Sequence, residues 1–260
     1  MAKTRQGLLP RDRGDTAIVR TFGLTYAKGS VVPPRTAAWH QLLYAASGVM
    51  TVHTSEGAWV VPPHRAVWVP SAIDYSIAMS GPVAIRAIYL AARIARGTPS
   101  RCCVVNVSPL LRELVLEAVR RGALEGAVQG DRRLATVIVD QLRVLQTVAL
   151  QLPTPNDPRA VRAAEWLRAH PAECGAMRAI TRHAGASRRT LERLFAVEVD
   201  MSFGRWRQRL RLLHALRSLA AGEAVTATAL EVGYSSTSAF IAMFRRELGT
   251  TPSRYFDETA

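Results

Sequence analysis

One short pattern occurs twice in the last hundred residues, and no other feature narrows the fold as far. Ala184-Gly185-Ala186-Ser187 is followed by Leu191, Leu194 and Phe195, and Val232-Gly233-Tyr234-Ser235 is followed by Phe240 and Phe244. In each copy a helical stretch ends at a glycine, a serine follows, and a second helix opens with apolar residues three or four apart. Glycine permits the sharp turn and serine caps the next helix, which is the grammar of a helix-turn-helix. The glycines are 48 residues apart. Between them Phe203 to Leu219 has no proline and no glycine after Gly204, so it reads as one long helix holding two such units apart.

Upstream, Pro153-Thr154-Pro155-Asn156 is a proline-stiffened linker, and Asp157-Pro158 supplies a cap and a first-turn proline for the next helix. Residues 157–260 then read as an all-helical domain, with helices at about 158–170, 175–183, 188–198, 203–220, 225–232, 237–247 and 252–256.

The first third has a different period. Short apolar or alternating runs (17–24, 41–44, 49–53, 59–61, 66–69, 83–90) are separated by turn residues such as Pro33-Pro34, Ser47-Gly48, Pro62-Pro63 and Gly81-Pro82. That spacing favours a small β-barrel or sandwich, with room for side chains or one small ligand. After Ser108-Pro109 the period becomes helical, with Leu110, Leu111, Leu114, Val115, Ala118 and Val119 on one stripe. A second helix from about Asp131 carries Leu134, Val137, Ile138, Leu142 and Leu145. These stripes either pack on the barrel or form the seam between two protomers; runs this short do not decide which.

The net charge of +14 and pI near 11.0 imply a polyanionic partner or a strongly basic host proteome. Charge alone does not locate its site, because residues 157–260 carry +5 and residues 1–156 carry +9. Clustering is more informative: Arg188, Arg189 and Arg193 share one recognition helix, and Arg205, Arg207, Arg209 and Arg211 share the connecting helix. No apolar run reaches eighteen residues, and Lys3, Arg5, Arg11 and Arg13 precede no apolar signal core, so a cytoplasmic chain without a membrane span is expected. Cys102, Cys103 and Cys174 lack metal or disulfide spacing and read as reduced, partly buried thiols.

Helical geometry assigns faces. Leu191, Leu194 and Phe195 lie at i, i+3 and i+4 and turn inward, leaving Arg188, Arg189, Thr190, Glu192 and Arg193 outside. Arg189 or Arg193 can donate a bidentate pair to guanine; Glu192 can accept from cytosine or pair with a neighbouring arginine. On the second helix Phe240, Met243 and Phe244 go inward, and Thr237, Ser238, Ile241 and Ala242 are presented. These suit thymine methyls, sugar or phosphate, so the first unit is expected to carry most of the sequence reading. Arg245 and Arg246, at the far end, suit phosphates or an internal salt bridge.

From Met177 to Phe256 the chain resembles the DNA-binding domain of the AraC family of bacterial transcription regulators. The matching residues include Ile180, Gly185, Ser187, Leu191, Arg193-Leu194-Phe195, Arg211-Leu212, Ala215, Leu219, Val232-Gly233-Tyr234-Ser235-Ser236, Phe240, Phe244-Arg245-Arg246 and Gly249-Thr250-Thr251-Pro252. The resemblance implies that Arg189, Glu192 and Arg193 lie in or beside the major groove; Ser236 and Arg245 are further candidates for DNA contact. Three positions depart from the pattern: Thr181, Ser218 and Thr228 stand where alanine or larger aliphatic residues are usual. Such a hydroxyl destabilises the core unless it is bonded, as to a carbonyl four residues back.

Residues 15–95, with Gly48, Gly57, Trp59, Pro62-Pro63, Trp68 and Pro70, resemble the cupin-type sensor domain found upstream of many such DNA-binding domains. A metal-dependent cupin enzyme would need converging histidines and a glutamate, but His40, His53 and His64 are isolated and Tyr75 stands where related sequences often carry histidine. No metal, cofactor or catalytic residue is therefore expected. Trp39, His40, Tyr44, Trp68 and Tyr75 are the candidate effector-binding residues, or else packed aromatics with satisfied polar tips.

The expected architecture is multidomain: a cupin-like β-barrel sensor over 1–107, connector helices with a dimerisation role open over 108–152, and a double helix-turn-helix domain over 153–260. The expected partners are double-stranded operator DNA, a small-molecule effector, a second copy of the chain and, for an activator, RNA polymerase. Two alternatives stand beside this reading: a cupin-type small-molecule enzyme with an appended DNA-binding module, and a DNA-bending protein without sequence preference.

Overall fold

The computed structural model describes residues 16–36, 38–143, 147–148 and 150–257. Leu145, assigned above to a helical stripe, lies outside the described residues, as do Lys3, Arg5, Arg11, Arg13 and the side chain of Cys174. The chain divides into two compact units, one of residues 1–55 and 59–149, the other of residues 56–58 and 150–260.

Nine strands open the first unit: β1 (Ala17–Tyr26), β2 (Val31–Thr36), β3 (His40–Ser47), β4 (Met50–Thr54), β5 (Gly57–Val61), β6 (Arg65–Val69), β7 (Asp74–Met79), β8 (Val83–Leu90) and β9 (Cys103–Asn106). They are followed by α1 (Pro109–Arg121), β10 (Ala123–Glu125), α2 (Gln129–Arg143) and the short β11 (Thr147–Val148). One sheet has the order β10-β1-β8-β3-β6-β9-β11, and a second runs β5-β4-β7-β2. The pairings within them are antiparallel.

Pleating assigns every second residue of β3 to one face. Leu42 and Tyr44, with Ala66, Trp68, Ile88 and Leu90 of the neighbouring strands, form one buried cluster with Leu111, Val115 and Ala118 of α1 and Ala135, Ile138 and Leu142 of α2. Most of both helical stripes is thus covered by the outer face of the larger sheet. Of the large apolar residues on or beside these helices, Leu110, Val128 and Val137 stay exposed. The opposite face of β3 looks toward the second sheet, where the Tyr75 hydroxyl of β7 donates to Gln41 Oε1 at 2.5 Å.

Pro33-Pro34, read above as a turn, lies inside β2. Proline is tolerated there because β2 is the last strand of its sheet and its register with β7 shifts between Val32 and Arg35. β7 and β9 are strands outside the apolar runs that predict β1, β3 to β6 and β8. Cys102 and Cys103 are reduced thiols, and burial pushes the Cys103 thiol up to about 11, far from reactive thiolate.

The second unit is helical apart from β12 (Gln151–Pro153) and residues 57–58 at the start of β5. α3 (Pro158–Ala169) starts at the Asp157 cap, whose carboxylate accepts from Arg159 N at 2.9 Å. A 3-10 turn (Pro171–Gly175) leads to α4 (Met177–Ala184), α5 (Arg188–Val199), α6 (Phe203–Ala220), α7 (Val225–Glu231), α8 (Thr237–Leu248) and α9 (Pro252–Asp257). The segment read as a linker is tethered within this unit: the Trp206 indole donates to Pro153 O at 2.9 Å, and Asn156 N and Asp157 N donate to Glu198 Oε2 at 2.7 and 3.0 Å.

Candidate nucleic-acid interface

α4 and α5 form the first helix-turn-helix. Gly185 ends α4 in the left-handed region (φ 63°, ψ 34°), and Ser187 Oγ accepts from Thr190 N at 3.1 Å to start α5. Leu191 and Phe195 are fully buried, and Phe195 packs on Phe203 and Trp206 of α6 at ring distances of 4.8 and 5.2 Å. This anchors α5 to the connecting helix and fixes which side it presents. Arg188, Arg189 and Arg193 are exposed on that side. Arg188 Nε lies 3.7 Å from a Glu192 carboxylate oxygen, so the internal pair offered above as one fate of Glu192 is formed. Thr190 is half-buried and shares a 2.9 Å hydroxyl contact with Ser187. Among the described residues no carboxylate pairs with Arg189 or Arg193.

α7 and α8 repeat the arrangement with different chemistry. Gly233 (φ 79°) makes the turn, Gly233 N donates to Leu230 O and Tyr234 N to Ala229 O, both at 2.9 Å. The cap of α8 is Ser236, one residue beyond the serine of the repeated pattern, and its hydroxyl accepts from Ala239 N at 3.2 Å. Ser236 thus already carries a structural bond. Phe240 and Phe244 are buried, with Tyr234, Phe240, Phe244 and Tyr255 in consecutive edge or tilted contact. On the other side Ser238, Ile241, Ala242 and Arg245 line one open concavity of about 690 Å³ with Arg246 and Thr251; Thr237 is half-buried at the start of the helix. Arg245 is exposed, whereas Arg246 Nε reaches Glu247 at 3.3 Å and Gln208 of α6 reaches the same carboxylate at 3.1 Å. Of the two arginines offered for phosphates or an internal bridge, Arg246 therefore takes the bridge.

The three departures from the family pattern meet different fates. Thr181 Oγ1 donates to Met177 O, four residues back, at 3.0 Å, and Ser218 Oγ donates to Glu231 Oε2 at 2.8 Å. Thr228 is fully buried and its hydroxyl has no described partner. Arg211, one of the basic residues of α6 and part of the family match, has its guanidinium over the Tyr234 ring at 5.4 Å and braces the second turn.

The candidate effector residues are divided by the larger sheet. Tyr44 and Trp68 belong to the helix-facing cluster, and His40 stacks on Trp68 at 5.5 Å while His40 Nδ1 accepts from Ser71 N at 3.1 Å. Trp68 Nε1 donates to Pro99 O at 2.8 Å, so these tips are satisfied. Burial lowers the His40 pKa, and burial raises that of Tyr44 against the pull of Arg112. Trp39 is half-buried beside them in sequence. Tyr75 is placed between the sheets, where it meets Gln41 and Arg35. The available sequence signal for Gln41 was the alternation of β3, which separates it from Leu42 and Tyr44. Among the described residues no group of three or more His, Cys, Asp or Glu side chains could hold a metal ion, and no helix is long and apolar enough to cross a membrane.

The helix-turn-helix domain family matches residues 180–258, which take in both helix-turn-helix motifs and α6 between them. The HTH-type transcriptional regulator NimR of Escherichia coli (strain K12) is 35% identical over 215 residues, which are 83% of this chain and 78% of that protein. The HTH-type transcriptional regulator RipA of Corynebacterium glutamicum is 36% identical over 104 residues, 40% of this chain and 31% of that protein. A crystal structure of a transcriptional regulator from Chromobacterium violaceum, described as an AraC-type DNA-binding domain-containing protein, is 27% identical, covers 40% of this chain and 93% of its own, and has a TM-score of 0.37. The chain belongs to the AraC-type helix-turn-helix transcription regulators.

Proposed function

We propose that α5 and α8 enter two successive major grooves on one face of a promoter operator, roughly 10 bp apart, with α5 specifying sequence and α8 setting position. The contrast in presented side chains carries this reading: exposed Arg189 and Arg193 on α5, and Ser238, Ile241 and Ala242 on α8. Guanidinium groups can make bidentate contacts to guanine that small side chains cannot. Arg188, Thr190, Glu192, Ser236, Thr237 and Arg245 complete the contact surface, the polar ones through sugar and phosphate.

The β-rich part, residues 1–107, acts as a sensor that holds a small-molecule effector between its sheets. Residues 108–152 connect it to the DNA reader, residues 153–260. The effector acts by favouring one of two states that differ in operator affinity, which requires that it bind those states unequally. Protomers pair through the uncovered side of α1 and α2, where Leu110 and Val137 remain exposed, and an activating copy contacts RNA polymerase in the cytoplasm. The test is selection of bound sequences from random DNA, followed by competition at fixed salt. A specificity ratio of at least roughly 10³ is expected; a ratio near one would return the protein to the class of DNA-bending proteins.

A further inference from the structure

Between the two sheets lies a polar chain whose members are donors at both ends. Arg35 of β2 stands directly opposite Tyr75 of β7 in register, with its guanidinium carbon 5.7 Å from the Tyr75 ring centre. The phenol in turn places its only proton on Gln41 Oε1 at 2.5 Å, which fixes the amide so that Nε2 points away. Gln41 is fully buried, Tyr75 is 2% exposed, and both Gln41 Nε2 and Arg35 Nε are buried without a hydrogen-bond partner.

The surroundings add donors and aromatic surface but no anion. Tyr89 sits beside Gln41 in register and is also 2% exposed. Trp59 is fully buried on β5, which neighbours β4, and Val52 of β4 faces Ile77, on the face of β7 that carries Tyr75. The Trp59 indole N–H is a third buried donor without a partner. Among the described residues no carboxylate pairs with Arg35. Buried polar groups are almost always bonded, and an acceptor-poor cluster around a guanidinium selects for a ligand that brings acceptors and negative charge.

Resting on the sensor reading above, we infer that the interior of the sheet-rich unit takes a small monocarboxylate with an aromatic or otherwise flat apolar body. Its oxygens accept from Arg35 and from Gln41 Nε2, and its body lies against Tyr75, Tyr89 and Trp59. Tyr44, Trp68 and His40, on the far face of the sheet, do not touch it.

The probes are phenylacetate and its uncharged isostere phenylacetamide, titrated calorimetrically into the full chain. Phenylacetate should bind at least tenfold more tightly. Gln41→Leu and Arg35→Met should each abolish that preference, while operator binding without ligand stays as in the parent. Gln41→Leu also strips the buried Tyr75 hydroxyl of its acceptor and should melt lower, whereas Arg35→Met leaves the Tyr75–Gln41 bond in place and should melt as the parent does, so Arg35→Met separates loss of the site from loss of the fold. Equal binding of the two probes, no binding of phenylacetate, or a preference that survives both substitutions would overturn the inference. Phenylacetate binding that leaves operator affinity unmoved would support the site and defeat the effector role. An uncharged molecule that shifts operator affinity where phenylacetate does not bind would defeat the carboxylate and leave the effector role standing.

Discussion

The two helix-turn-helix units share a backbone plan and differ in almost everything attached to it. A methyl group added at Gly185 would find only the tip of Arg162, at 3.5 Å. The same addition at Gly233 would meet the carbonyl oxygen of Ala172 at 2.5 Å and Arg211 Nη2 at 3.2 Å. The first turn is open and the second is enclosed. The presented faces run the other way, with long charged side chains on α5 and small ones on α8. A repeated sequence pattern therefore specifies a repeated turn, while the role of each copy is set by what surrounds it and what it presents.

Breaking the two turns should give the largest effects. Gly233→Ala combines a left-handed backbone with collision against a fixed carbonyl and is expected to destabilise the chain by roughly 3–5 kcal/mol. Gly185→Ala meets only the backbone penalty, about 1–2 kcal/mol. Urea unfolding of the two variants measures the difference directly. Equal losses would mean that the enclosure of the second turn yields without strain.

The presented faces come next. Arg193→Ala should lower operator affinity by about 1–3 kcal/mol and relax base preference at one position. Ser238→Ala on α8 should lower it by less than ~1 kcal/mol with the preferred sequence intact. If both selected motifs match that of the parent, α5 does not specify and the inequality between the helices is lost.

How far this inequality could be read from sequence depended on the period. α3 to α9 start and end within about two residues of the expected positions, because Asp157, Ser187 and Ser202 cap, Gly185 and Gly249 terminate, and apolar spacing fixes the inner face. The sheets were less legible. Pro33-Pro34 reads as a turn unless the strand is known to be at an edge, and β7 lies between turn signals despite its clean alternation of Tyr75, Ile77 and Met79. Pleating also separated the candidate sensor residues. Tyr44 and Tyr75 are both buried aromatic residues, but which sheet face each takes depends on strand pairing, which a single sequence does not show. The same holds for Thr228, since only the folded chain shows its hydroxyl buried without a hydrogen-bond partner among the described residues.

Thr228 supplies the third comparison. Its orphaned hydroxyl lies in the second unit, whereas Thr181 in the first is bonded to Met177 O and Arg178 O. Thr228→Val removes the unpaired group at nearly constant volume and should raise stability by about 1 kcal/mol. Thr181→Val removes a group that is already satisfied and partly exposed, and should leave stability level or slightly lower. A loss at Thr228 as large as at Thr181, read in the same urea titrations, would show that the buried hydroxyl is engaged.

The smallest effect separates positioning from reading. Arg245 ends the open face of α8, exposed, whereas its neighbour Arg246 is engaged with Glu247. A guanidinium at the end of a recognition helix reaches the phosphate backbone more readily than a base edge, and a phosphate contact carries no sequence information. Arg245→Ala should therefore weaken operator and random DNA alike, by less than ~1 kcal/mol at moderate salt, and reduce the slope of log K against log salt by about 1. Arg193→Ala should instead change the ratio of the two affinities. A salt slope unchanged by Arg245→Ala, or a loss confined to one operator sequence, would place Arg245 among the reading residues and make α8 a second specifying helix.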